Sequence, residues 1–139
     1  MHYGRAFLAG VVGALAMSLV MAFLRAVGIP VHIEAQLATV LGSKAWIVGF
    51  AAHLLIGGAV GVGYGMMYEL VLPESGVGLG VLLGAINTIF AGFAWAVIGG
   101  PGRFWSEVGP PGVIALFVAH ITFGAVVGAT FKAEQKLLA

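Results

Sequence analysis

Four uninterrupted apolar runs, at about residues 6-28, 46-70, 77-99 and 112-131, constrain this chain more than any other feature. Each is about 20 residues or longer, the length a helix needs to cross a hydrocarbon core of about 30 Å. Inside lipid every backbone N–H and C=O must be satisfied internally, which leaves only helices and closed barrels. Barrel strands would be about ten residues each and alternate in polarity, and these runs do neither. The prediction is an all-α integral membrane protein, a bundle of four transmembrane helices in a single domain over residues 1-139. Composition agrees, since 61% of the residues are hydrophobic and 8% charged, against about half and a quarter in soluble domains.

The charges and prolines collect between the runs. Arg5, Lys132 and Lys136 lie with the termini, and Arg25, Lys44 and Arg103 with the first and third connections. Three positive charges against three leave the positive-inside rule silent, and cytoplasmic termini are the expectation for an even number of spans. Scattered Lys and Arg make no basic face, so nucleic acid is excluded as a partner. The chain has no Cys, which removes disulfides, thiolate metal sites and Cys nucleophiles. The start, Met1 to Arg5 followed by apolar residues to Leu24, is read as a retained first span rather than a cleaved leader.

The chain also repeats itself. Ala52-His53, Gly57 and Gly61 recur as Ala119-His120, Gly124 and Gly128, and Gly13-Ala14, Gly28 and Pro30 recur as Gly84-Ala85, Gly99 and Pro101. Residues 5-70 and 76-131 therefore read as two tandem copies of one helical hairpin. Both copies would enter the membrane in the same direction, making the second and fourth spans parallel and setting a pseudo-two-fold axis along the membrane normal. His53 and His120 would then lie at matching depth, about 12 Å into their helices at 1.5 Å per residue.

An ionisable side chain within a membrane span marks a functional site by default. One reading has His53 and His120 bind a single metal centre, most directly the iron of a b-type haem, with Gly57 and Gly124 clearing space for the macrocycle. The other makes each histidine an interhelical hydrogen-bonder, with the glycines present only for close helix approach. Zinc is disfavoured, because no Cys, Asp or Glu accompanies the pair. Glycines at four-residue spacing, Gly49 to Gly65 and Gly76 to Gly92, read as packing grooves. Gly61, Gly63 and Gly65 lack the strand and lysine of a nucleotide loop.

Ser18, Asn87, Thr88 and Thr122 are at similar depth, either as hydrogen-bond partners that fix the imidazole tautomers or as hydroxyls bonded within their own helices. Asn87 is expected to reach another helix, because its amide is hard to satisfy locally. Tyr64 and Tyr68 read as interfacial anchors, as do Phe104 and Trp105. Met17, Met21, Met66 and Met67 read as core filler. In the first connection, Pro30 to Ala45, Ile33, Leu37, Val40 and Leu41 recur at helical spacing opposite Glu34, Thr39 and Ser43, giving either a short interfacial helix or a loop capping the bundle. Glu34 and Glu107 could gate a polar path toward the midplane, but the expectation is that they are solvated or pair with Lys44 and Arg103. Pro73-Glu74-Ser75 reads as a tight turn.

The order of Gly10 and Gly13 with Met17-Ser18, then Pro30, Glu34, Leu41-Gly42, Ala52-His53 and Gly57, resembles a family of small bacterial four-span membrane proteins of unknown function. The resemblance implies a four-helix membrane fold in the bacterial inner membrane, with no substrate, cofactor or catalytic residue to carry over. Without a nucleophile and base or a carboxylate pair, the expectation is a protein that is not an enzyme. It would be an accessory or assembly subunit of a homo-oligomer or larger membrane complex in the lipid bilayer. The alternative is a small oligomeric transporter or channel with His53 and His120 lining a polar path.

Overall fold

The structure, a computed structural model, describes the backbone of residues 2-70, 76-99 and 103-138 and the side chains of residues 2-70, 76-98 and 109-131. The turn at Pro73-Glu74-Ser75 and the side chains of Arg103, Phe104, Trp105, Glu107, Lys132 and Lys136 lie outside the described residues. Five helices follow in order: α1 Tyr3–Ala26, α2 Ile33–Val40, α3 Trp46–Leu70, α4 Val77–Gly99 and α5 Arg103–Leu138. Four of them contain stretches long and apolar enough to span a bilayer, at Tyr3–Ala26, Trp46–Leu70, Val77–Ile98 and Gly109–Phe131. The protein is an all-α, four-helix integral membrane protein.

Local chemistry sets the breaks. α1 ends where Gly28 takes a φ of +92°. The Gly28 N–H reaches the Arg25 carbonyl and the Ile29 N–H the Leu24 carbonyl, each at 3.0 Å. α2 ends the same way, with Gly42 at φ +72° and bonds from Gly42 to Thr39 and from Ser43 to Ala38. This Schellman closure satisfies otherwise orphaned carbonyls and favours glycine at the left-handed position. In α5 the break is Gly109, at φ 62° and ψ 174°, followed by Pro110 and Pro111. Proline at the first turn loses no helical hydrogen bond, so the last span restarts there.

The spans pack through small residues. Gly10 of α1 lies directly against the Gly57 carbonyl and Gly61 of α3, and Gly80 of α4 lies against the Gly124 carbonyl of α5 with Gly128 beside it. Lipid tails are as apolar as the side chains, so association in a bilayer depends on such close approach. α1 and α5 join the two pairs where Gly13 meets the Phe123 ring and Val127. Tyr64 packs edge-on against Phe123 and Tyr68 against Phe131, so α3 and α5 run in the same direction. Among the described residues α3 and α4 form no packed seam. The lateral order is therefore α3, α1, α5, α4, with a cleft between the outer two. Leu19, Phe23, Leu55, Phe90, Phe93 and Val97 point outward, exposed, as lipid-facing side chains do.

The first connection is a helix, but its packed face differs from the predicted one. Ile33, Glu34 and Ala38 are buried, whereas Val40 and Leu41 are exposed. Gly49 on α3 accounts for the rotation, because the α2 backbone comes against it at Glu34 and Ala38. Glu34 is 1% exposed and is held by Arg25, at 3.2 Å, rather than by Lys44 or water. Arg25 also donates to the Val31 carbonyl at 2.9 Å, tying the linker to α1.

Tyr64 and Tyr68 are not interfacial anchors either. Both are buried, because α5 presents Phe123 and Phe131 to them, and neither hydroxyl has a hydrogen-bond partner. Met17 and Met21 are core residues, while Met66 and Met67 face outward.

Candidate functional site

A cavity of about 180 Å³ lies under the α3–α4 cleft, and both histidines line it. α3 contributes His53 and Gly57, α5 contributes His120 and Phe123, α1 contributes Met17, and α4 contributes Asn87 and Trp95. Ile33 and Leu37 of α2 close one end. Thr88 also lines it, with its hydroxyl bonded back to Gly84, and the remaining walls are apolar, so the imidazoles and the amide are the polar groups left to meet a guest. His53 and His120 are 7% and 8% exposed, a depth at which unpaired polar atoms are costly.

Each imidazole is held by one ring nitrogen. His120 Nδ1 lies 2.8 Å from the Leu116 carbonyl one turn earlier on α5. A carbonyl only accepts, so Nδ1 carries the hydrogen and, in the neutral ring, Nε2 carries the lone pair. His53 Nδ1 lies 3.0 Å from Ser18 Oγ on α1. A hydroxyl can donate or accept, so the His53 tautomer can adapt to what Nε2 meets. Neither Nε2 has a partner among the described residues. The arrangement follows the general logic of ligating histidines, in which one nitrogen is anchored and the other presented.

The polar neighbours divide. Ser18 reaches a histidine across the α1–α3 interface. Thr88 donates instead to Gly84 and Thr122 to Val118, each one turn back in its own helix. Asn87 lines the cavity but makes no hydrogen bond among the described residues. The expectation that it reaches another helix fails because α4 stands at the open edge, facing α3 across a cleft. Gly57 borders the cavity, yet the space a side chain would need there is taken by Ala14, 2.5 Å from an ideal Cβ. Gly124 is outside it, packed on Gly80. Both glycines serve helix crossings.

Sequence reasoning missed Trp95, and the α2 residues Ile33 and Leu37 as cavity wall. The signal for Trp95 was present in its spacing. Asn87, Ala91, Ala94, Trp95 and Ile98 share one face of α4 and all line the cavity, a pattern set by helical periodicity. Among the described residues no three His, Cys, Asp or Glu side chains converge to hold a metal ion. Comparison with known proteins finds no matching family model, no matching curated protein and no matching solved structure.

Proposed function

We propose that the protein is a non-enzymatic, membrane-embedded binding subunit whose ligand reaches the His53–His120 cavity sideways from the bilayer. The observation that carries this reading is the pair of anchored imidazoles, with Nε2 atoms unpartnered among the described residues, in one chamber that opens between α3 and α4, which form no packed seam there. Left empty, two such nitrogens and an unbonded amide within a membrane span lose hydrogen bonding with nothing in return. An interhelical hydrogen-bonding role accounts for His53 Nδ1, which meets Ser18 of α1, but gives neither Nε2 a purpose.

Two ligand types follow from an imidazole pair. A b-type haem would use both Nε2 atoms as axial ligands, and the donor set suits it. The cavity, about 180 Å³ and open toward the cleft, is small for a macrocycle, and Gly57 and Gly124 are already occupied by packing. A macrocycle would require the two hairpins to part. A smaller polar head fits the cavity as it stands. On the transporter reading, a path past the histidines would have to displace Ala14, Gly10 and Phe123, which fill the space beside Gly57.

The test is native mass spectrometry together with oxidised and dithionite-reduced absorption spectra of protein gently solubilised from its own membranes. The expected result is a bound non-protein mass that disappears when His53 and His120 are both replaced by leucine. A folded wild-type protein with no bound mass, or one whose bound mass survives the double replacement, would overturn the binding role.

A further inference from the structure

We infer that the histidine cavity takes the head of a membrane-soluble ring alcohol, a single aromatic or quinol-type ring bearing a hydroxyl, with its hydrocarbon chain leaving between α3 and α4. The inference rests on the binding role proposed above and specifies its ligand. Three observations converge on it.

The first is size. A cavity of roughly 150 Å³ lined by aliphatic and aromatic side chains accepts one benzene ring, and this one, at about 180 Å³ and open on one side, has room for a ring with small substituents. Trp95 and Phe123 line it, and aromatic rings pack favourably edge-on or offset.

The second is hydrogen-bond polarity. Because His120 Nδ1–H is committed to the Leu116 carbonyl, the neutral imidazole can offer the cavity only an acceptor at Nε2. A ligand must therefore bring a donor. A hydroxyl on a ring supplies one, whereas a ketone, an ether or a quinone carbonyl would set lone pair against lone pair. Asn87 and the adaptable His53 can serve a second polar substituent across the ring, since an amide and a histidine with a hydroxyl partner can each donate or accept.

The third is the route. α3 and α4 share no packed seam among the described residues, and the cavity walls near the cleft are Ile56 and Val60 on one side and Ala91, Ala94 and Ile98 on the other. Hydrocarbon can lie between such walls at little cost, while a charged or strongly hydrated tail cannot. A water-soluble phenol would satisfy His120 but leave this apolar channel unused.

The experiment first compares ligands on one protein background, so differences in folding between variants do not enter that comparison. Protein in lipid nanodiscs, with Trp46 and Trp105 replaced by phenylalanine, is titrated under anaerobic conditions while Trp95 emission is followed. The probes are decylhydroquinone, decylbenzoquinone and the dimethyl ether of the hydroquinone. An unpaired buried acceptor costs about 1–3 kcal/mol, or about fivefold to 150-fold in affinity. Decylhydroquinone is expected to bind at least about fivefold tighter than either donor-less probe, and His120→Leu to abolish that preference. Equal affinity for all three probes, or a preference that survives His120→Leu, would overturn the inference. A b-type haem spectrum from native membranes would overturn it while sustaining the binding role. Absence of any bound mass and of any Trp95 response would overturn both.

Discussion

Glycine-to-alanine replacement should have different effects at Gly10 and Gly63, and the difference can be worked from the packing. An ideal Cβ at Gly10 would lie 2.8 Å from the Cα of Gly61 and closer still to the Gly57 carbonyl. Carbon atoms are at ease at about 3.5–4.0 Å. α1 and α3 must therefore separate by at least about 0.7 Å at their crossing. The atoms there are backbone and cannot rotate away. A gap of about 0.5–1 Å forfeits a quarter to a half of each contact's attraction, and overpacking of this kind costs about 1–3 kcal/mol. At Gly63 nothing lies within 4 Å of the new Cβ, and alanine is better than glycine in a helix by about 1 kcal/mol. Reversible unfolding in mixed micelles, followed by circular dichroism, should show Gly10→Ala destabilised relative to Gly63→Ala by about 1–3 kcal/mol, since the gain in helix propensity is common to both sites. Gly80→Ala, whose Cβ would meet the Gly124 carbonyl, should behave like Gly10→Ala. Equal effects at Gly10 and Gly63 would refute the assignment of the α1–α3 seam.

Other outcomes follow from the same contacts. Arg25→Leu leaves the buried Glu34 carboxylate without its partner and should cost about 3–5 kcal/mol, whereas Arg25→Leu with Glu34→Leu should recover most of it; a double-mutant cycle in thermal unfolding reads the coupling. Ser18→Ala removes the hydroxyl from His53 Nδ1 and should destabilise by about 1–3 kcal/mol, with a changed imidazole nitrogen signal for His53 and none for His120 in NMR of labelled protein. Tyr68→Phe deletes a buried hydroxyl that has no partner, so stability should stay within about 1 kcal/mol of wild type or rise; a larger loss by the same unfolding assay would contradict the apolar setting. Asn87→Leu should raise stability, because the amide is unbonded within a span, and should weaken decylhydroquinone binding.

The fold was legible because the bilayer leaves a chain so few options. Runs at 46-70 and 77-99 coincide with α3 and α4, and the last run begins after the Gly109 break that Pro110 and Pro111 announce. His53 and His120 do line one chamber, which their like positions in the second and last runs led one to expect. What stayed hidden depends on which neighbour fills a space. Glu34 looked solvated because its pairing with Arg25 requires α2 to roll onto Gly49, a consequence of tertiary contact rather than local pattern. Tyr64 and Tyr68 have the amphipathic character of anchors, and only the approach of Phe123 and Phe131 turns them inward. Gly124 carries the same spacing from its histidine as Gly57, yet Gly80 occupies its open side. Spacing places a glycine on a face, and the neighbouring helix decides its use.

The lateral order α3, α1, α5, α4 has a mechanical consequence. The two hairpins meet along a spine, where Gly13 of α1 is set against Phe123 and Val127, and the Tyr64–Phe123 and Tyr68–Phe131 ring contacts pin α3 to α5 toward one end of it. Among the described residues the covers, α3 and α4, form no packed seam, and the chain joins them only after Leu70, at the tyrosine end. Rotation about that spine would change the width of the histidine chamber far more than the positions of the pinned tyrosines. A guest between the covers would thus set the angle of the book, and whatever protein or lipid lies against the outer faces of α3 and α4 would feel that angle from outside.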